Sequence, residues 1–292
     1  MKKESYTIIL FYKFFKIKNL EAFKLKQKKI AEKFNLKGRM LIGSEGVNGT
    51  LEGTTKNVKA YIKELRKQNV FKDMVFKDSE GTGTGFTKLK IKTRPEIVTL
   101  GISGFNVKKE TAKTVTADQL EKMYKNKEDF VVLDLRNDFE VKVGYFENTV
   151  DPELVNFRDL PGKLPKLRKA LRGKKVVTVC TGGIRCEKAT CLMKQEGFEN
   201  LYQLKDGIYS YMKKYPNKHF KGTLFTFDNR MTTDVVGMKK REIVGKCRFC
   251  QVPCEEFYND DNFRPSRKVI CCDNCIVKHK KLRSATPERK QS

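Results

Sequence analysis

Residues Val176-Val177-Thr178-Val179-Cys180-Thr181-Gly182-Gly183-Ile184-Arg185-Cys186 set one cysteine where thiolate chemistry is easiest. The β-branched run predicts a buried parallel strand. Cys180 ends that strand, Gly182 and Gly183 let the backbone curl, and a helical pattern opens at Ile184. A sulfur at the carboxyl end of a strand then faces the N-terminus of the next helix. The free N–H groups and dipole there lower a thiol pKa. The same amides, from Thr181 to Cys186, cradle an anion bound at the sulfur or carried by it. Arg185 adds a fixed positive charge, and Cys186 a second thiol that either resolves an oxidised sulfur or packs the helix start. The plainer alternative is a buried structural thiol beside an ordinary strand-to-helix turn.

A second group of thiols lies near the C-terminus. Six of the nine cysteines fall between residues 245 and 275. Cys247-x2-Cys250 and Cys272-x2-Cys275, with twenty-one residues between them, have the spacing of two zinc knuckles closing one tetrahedral four-thiolate site. Four thiolates leave no open coordination position, so the expected ion is a structural Zn2+. Cys254, Cys271 and His279 stand close enough in sequence to substitute as ligands.

These groups need elements to hold them. Tyr6–Phe15 alternates and reads as a strand. Residues 19–35 place Leu20, Phe23, Ile30 and Phe34 on one helical face. Arg39–Gly43 and Val47–Glu52 read as strands about a tight turn, with Gly46 and the Asn48-Gly49 pair suited to positive φ. Thr54 caps a helix bearing Val58, Ile62 and Leu65. Val75–Lys77 and Phe86–Thr93 read as further strands, and the β-α-β-β-α-β order, with one strand to spare, predicts a ferredoxin-like or acylphosphatase-like α+β sandwich over 1–95. A polar linker follows at 96–113.

Over 114–218, strands alternate with helices: a capping box at Thr116–Gln119, the strand Phe130–Leu135, a helix near 163–171, the Cys180 strand, Leu201–Leu204 and a closing helix Gly207–Tyr215. This is a parallel α/β domain with its loop outside a strand's carboxyl end, where such sheets place their sites. Residues 219–292 form an extension with the zinc module at about 245–280 and a disordered basic tail.

The net charge is +27, divided as +13 over residues 1–100, +7 over 101–218 and +7 over 219–292. That excess favours a polyanion, most simply a nucleic acid. No stretch is long and apolar enough for a membrane span. The N-terminus is too short and interrupted for a signal peptide, so a cytoplasmic protein is expected. Two histidines, His219 and His279, would both be needed for a two-His-one-carboxylate iron site. No Gly-x-Gly-x-x-Gly follows a strand, and neither flavin nor haem is expected.

Cys-x4-Arg closing onto a helix resembles the active-site loop of rhodanese-type sulfurtransferases, whose cysteine carries a persulfide. Cysteine phosphatases use one residue more, so the shorter loop favours sulfur. Asp134-x-Arg136-x-x-x-Glu140 resembles a mainly structural pattern of the same domains. Met40–Thr50, Cys180–Lys188 and Phe225–Met231 together resemble the rhodanese-domain tRNA uridine hydroxylases. Between the knuckles, where many members carry extra cysteines, this chain has Phe257–Phe263. The resemblance implies oxygen-dependent formation of 5-hydroxyuridine at the wobble position, with Cys180 essential and O2 as co-substrate. The tRNA anticodon region would be the partner, with an extruded base received at the loop. Two rivals share these residues: a sulfurtransferase moving sulfane sulfur to a thiol or tRNA, and a non-catalytic RNA-binding protein.

Overall fold

The computed structural model describes residues 4–235 and 242–285; the expected basic tail lies largely outside them. The chain divides into two compact units, 1–102 and 103–292, with the boundary inside the expected linker.

The first unit runs β1 (Tyr6–Phe14), α1 (Leu20–Lys33), β2 (Lys37–Gly43), β3 (Gly46–Thr54), α2 (Thr55–Arg66), β4 (Phe76–Gly81) and β5 (Leu89–Thr93). Its sheet has the order β4-β1-β3-β2-β5, antiparallel except for the β2–β5 pair. Asn19 and Thr54 accept helix-start amides as N-caps. Ile9, Phe11, Ile42 and Leu51 of the sheet meet Val58, Tyr61 and Leu65 of α2, making the expected acylphosphatase-like layer pair. The β2–β3 turn departs from expectation: positive φ falls on Gly46, while Asn48 and Gly49 lie extended within β3. The Phe11 ring covers Gly49 and takes the space a side chain would need.

The second unit begins with α3 (Val107–Glu110), β6 (Lys113–Val115), α4 (Ala117–Lys125), β7 (Phe130–Asp134), α5 (Asp138–Val141), β8 (Gly144–Phe146) and β9 (Thr149–Val150). It continues through α6 (Leu160–Ala170), β10 (Lys175–Val179), α7 (Ile184–Gln195), β11 (Leu201–Leu204) and α8 (Gly207–Lys214). Five parallel strands take the order β6-β11-β10-β7-β9, so the strand leading to Cys180 is central. Val176, Val177 and Val179 are buried, and the Thr178 hydroxyl, also buried, donates to the Tyr202 carbonyl at 3.1 Å. The Thr116–Gln119 capping box forms as expected.

The C-terminal segment holds β12 (Phe220–Gly222), β13 (Leu224–Phe225), β14 (Thr232–Thr233), β15 (Phe257–Asp260), β16 (Arg267–Ile270), α9 (Asp273–Ile276) and β17 (Leu282–Ser284). It joins the parallel domain in two ways. β12 pairs with β8, and Phe139 of α5 meets the rings of Phe225 and Phe257 at 5.0 and 6.4 Å. Among the described residues no helix is long and apolar enough to cross a membrane.

Candidate active site and cysteine centre

The loop after β10 closes on its own sulfur. Gly183, at φ +103°, caps α7, a backbone conformation that side chains with a Cβ rarely adopt. Its N–H donates to Cys180 Sγ at 3.1 Å. Burial by itself would push the Cys180 thiol up. The Cys186 S–H, the Arg185 charge and the N–H groups of Cys186 and Arg185 outweigh it and bring the thiol down to about 6. Cys186, buried and sharing that hydrogen bond, is pushed up well above the usual thiol range, so it stays protonated and donates. Cys180 is then mainly thiolate at pH 7.

Arg185 is 7% exposed and holds a bidentate pair with Glu140, at 2.6 and 2.8 Å. Burial opposes the Glu140 charge, but Arg185 and Arg136 together hold its carboxyl below the usual range. Both terminal nitrogens of Arg185 are thus committed to Glu140. The guanidinium acts on the sulfur by its charge, not as a free fork for a ligand. Thr181 completes the arrangement, its hydroxyl 3.4 Å from both Glu140 and Arg185.

Glu140 is therefore more than the interior support that the Asp134-Arg136-Glu140 spacing suggests. Asp134 and Arg136 do form a fully buried pair, and Arg136 also donates to the Gly144 carbonyl at 2.6 Å. Glu140 reaches the loop itself. Gly207 is a second contributor that local pattern did not single out. The N–H groups of Ile208 and Tyr209, at the start of α8, donate to the carbonyls of Cys180 and Thr181 at 3.0 and 3.1 Å. Gly207 lets α8 come this close: at φ +72°, a Cβ there would lie 2.6 Å from the Cys180 carbonyl oxygen.

The loop differs from expectation in access. Cys180 is 0% exposed, as are Cys186 and Glu140; Gly182 and Gly183 are buried, and Thr181 and Ile184 half-buried. The sulfur accepts hydrogen bonds from loop N–H groups and from the Cys186 thiol, with the Arg185 charge nearby. Alkylation of Cys180, followed residue by residue in the intact protein, should rise about tenfold per pH unit below 6 and level off above about 7. The sign follows from the depressed pKa: the reactive thiolate is present above it and lost as pH falls through it. A midpoint near the ordinary thiol value would contradict the cradle.

In the C-terminal segment, the Sγ atoms of Cys247, Cys250, Cys272 and Cys275 all lie within 4.8 Å of one another. Cys250 and Cys272 are 3.5 Å apart. Four thiolates about 2.3 Å from a tetrahedral ion sit about 3.8 Å from each other, so this group could hold a metal. Burial pushes the Cys247 thiol up, yet N–H groups of Cys250, Cys272 and Phe249 overcome it and lower it to about 5. Cys254 and Cys271, pushed up to about 12 chiefly by burial, lie outside the group of four. His279 also stays outside, its ring stacked 3.5 Å from Phe249.

Comparison with known proteins matches three segments of the chain. Residues 6–97 match the UPF0176 acylphosphatase like domain, 116–214 the rhodanese-like domain, and 221–286 a rhodanese C-terminal region. A tRNA uridine(34) hydroxylase of Bacillus licheniformis is 36% identical over 289 residues, which are 98% of this chain and 88% of that one. Its counterpart in Staphylococcus haemolyticus is 37% identical over 268 residues, 91% of this chain and 83% of the relative. That of the Aster yellows witches'-broom phytoplasma is 36% identical over 271 residues, covering 91% and 87%.

Proposed function

Because the chain belongs to the tRNA uridine(34) hydroxylase family, we propose that it is the enzyme that converts the wobble uridine of tRNA to 5-hydroxyuridine. The observation that carries this reading is the Cys180 sulfur at the carboxyl edge of a parallel sheet, accepting from the Gly183 N–H and brought down as an acid by Cys186 and Arg185.

Cys180 is the catalytic residue, as thiolate or as persulfide. Its sulfur adds to C6 of the uracil, and the charge developing over C4, C5 and O4 makes C5 nucleophilic toward oxygen. One atom of O2 enters at C5. The other leaves as water, with two electrons and two protons from a reductant. Loss of the C5 proton and of the sulfur then restores the ring. The amides from Thr181 to Cys186 and the charge of Arg185 stabilise the sulfur as it leaves. Because Sγ has no exposed surface, the extruded base must part the loop or meet an outer sulfur carried as persulfide.

The remaining parts bind and hold. The basic first unit contacts phosphates of the anticodon region, in keeping with the charge excess of residues 1–100. Cys247, Cys250, Cys272 and Cys275 hold one zinc ion, which closes the C-terminal module and takes no part in the chemistry. The protein works in the cytoplasm, where its tRNA is.

The amide-lined sulfur would also serve simple sulfur transfer, and one experiment separates the two. Mass spectrometry of tRNA nucleosides from a deletion strain should show loss of 5-hydroxyuridine and its derivatives with thiolated nucleosides unchanged. Loss of a thiolated base instead assigns sulfur transfer. An unaltered nucleoside profile removes both activities.

A further inference from the structure

A cleft of about 1050 Å³ separates α5 and the segment 155–159 on one side from the β15–β16 hairpin and the cysteine turn on the other. It lies at the upper end of the roughly 300–1000 Å³ of a typical small-molecule pocket. Six cationic side chains line it, Lys142, Lys246, Arg248, Arg264, Arg267 and Lys268, against two acids, Asp138 and Asp159. Two of the arginines are held in place. The Arg248 guanidinium lies 5.4 Å from the Phe263 ring and donates at 2.9 Å to the buried Asp260 carboxylate; that of Arg267 lies 4.5 Å from the same ring. Guanidinium forks fixed on an aromatic face lose little freedom when they grip a phosphate.

The cleft is also tied to the loop described above. α5 is a single turn with two occupied faces. Glu140, pointing inward, clamps Arg185 and reaches Thr181, while Asp138, Phe139 and Lys142 line the cleft. Whatever lies in the cleft is therefore one helical turn from the groups that hold Cys180.

We infer that this cleft binds the phosphodiester backbone of RNA and seats the strand whose base is delivered to Cys180. The inference rests on the reading that the substrate is a tRNA, and it adds where that tRNA is held. A row of cations in an open cleft, with few acids and two pre-set arginines, suits successive phosphates better than a single small anion.

The test uses the full chain and an unmodified tRNA transcript carrying uridine 34. Affinity is measured across a salt series for the wild type, for Arg264→Glu/Arg267→Glu on the hairpin, and for Lys246→Glu on the cysteine turn. Lys125→Glu is the control; it ends α4, at the amino edge of the parallel sheet, opposite the Cys180 loop. The double variant should bind on the order of tenfold to a hundredfold more weakly, and its salt slope should fall by about 1 to 2. Lys246→Glu should show a smaller loss of the same kind, and Lys125→Glu little. An unchanged Cys180 alkylation profile reports that each variant is folded.

Wild-type affinity and slope in both cleft variants, or an equal loss in Lys125→Glu, would overturn the cleft while leaving the hydroxylase reading intact. A wild-type chain that fails to bind the transcript would overturn both.

Discussion

Cells whose only copy of this protein carries Cys180→Ser are expected to have no detectable 5-hydroxyuridine at the wobble position, a loss on the order of 10³-fold or more. The argument concerns one atom. Against burial, the Cys186 S–H, the Arg185 charge and the N–H groups of Cys186 and Arg185 bring the thiol to about 6. A hydroxyl starts so much higher that the same neighbours leave it neutral at pH 7, and it cannot carry a sulfane sulfur in any state. Serine is close in size and still accepts from the loop amides, so melting temperature and tRNA affinity should stay near the wild-type values. Those two measurements separate lost chemistry from lost fold. Retained hydroxylation in the Cys180→Ser strain would remove Cys180 from the mechanism.

Metal removal should act with comparable force on a different part of the molecule. The C-terminal module has three short strands and a small core, in which Cys247, Cys254 and Cys271 are packed with Phe257, Tyr258 and Ile270. A core of that size does not pay for its own ordering, and structural zinc in comparable small modules contributes about 10–16 kcal/mol of apparent binding energy that is also folding energy. Purified protein should hold one zinc per chain. Chelation, or Cys275→Ser, should open 245–285 to protease while the parallel sheet remains folded. The pH midpoint of Cys180 alkylation should stay near 6, because its determinants lie in α5, α7 and the loop between β10 and α7. A chain that purifies without metal, or a module that resists protease after chelation, would refute the four-thiolate assignment.

Features encoded within a few residues are legible in the sequence. Val176–Val179 announces a buried strand because every residue but Thr178 is β-branched and apolar, and the two Cys-x2-Cys pairs announce their cluster by spacing alone. Thr116 and Gln119 form a capping box at three residues' separation, so it too is visible in the chain. What escaped depends on partners far apart in sequence. Glu140 meets Arg185 across 45 positions, and no periodicity encodes that pair. Gly207 reads as an ordinary helix start until the Cys180 carbonyl is seen against it. The Asn48-Gly49 pair has the composition of a turn, yet both residues lie extended in β3, paired with β1 and β2 on either side.

The absence of exposed surface at Cys180 has a chemical consequence beyond slow alkylation. If Cys180 works beside molecular oxygen as proposed above, its thiolate is prone to climb through sulfenic to sulfinic acid, a step most cells cannot reverse. Peroxide and glutathione both need a line of approach to sulfur, and here Cys180 has no exposed surface to offer one. The closed loop thus preserves the nucleophile between turnovers, and damage should concentrate in the moments when substrate holds the loop apart.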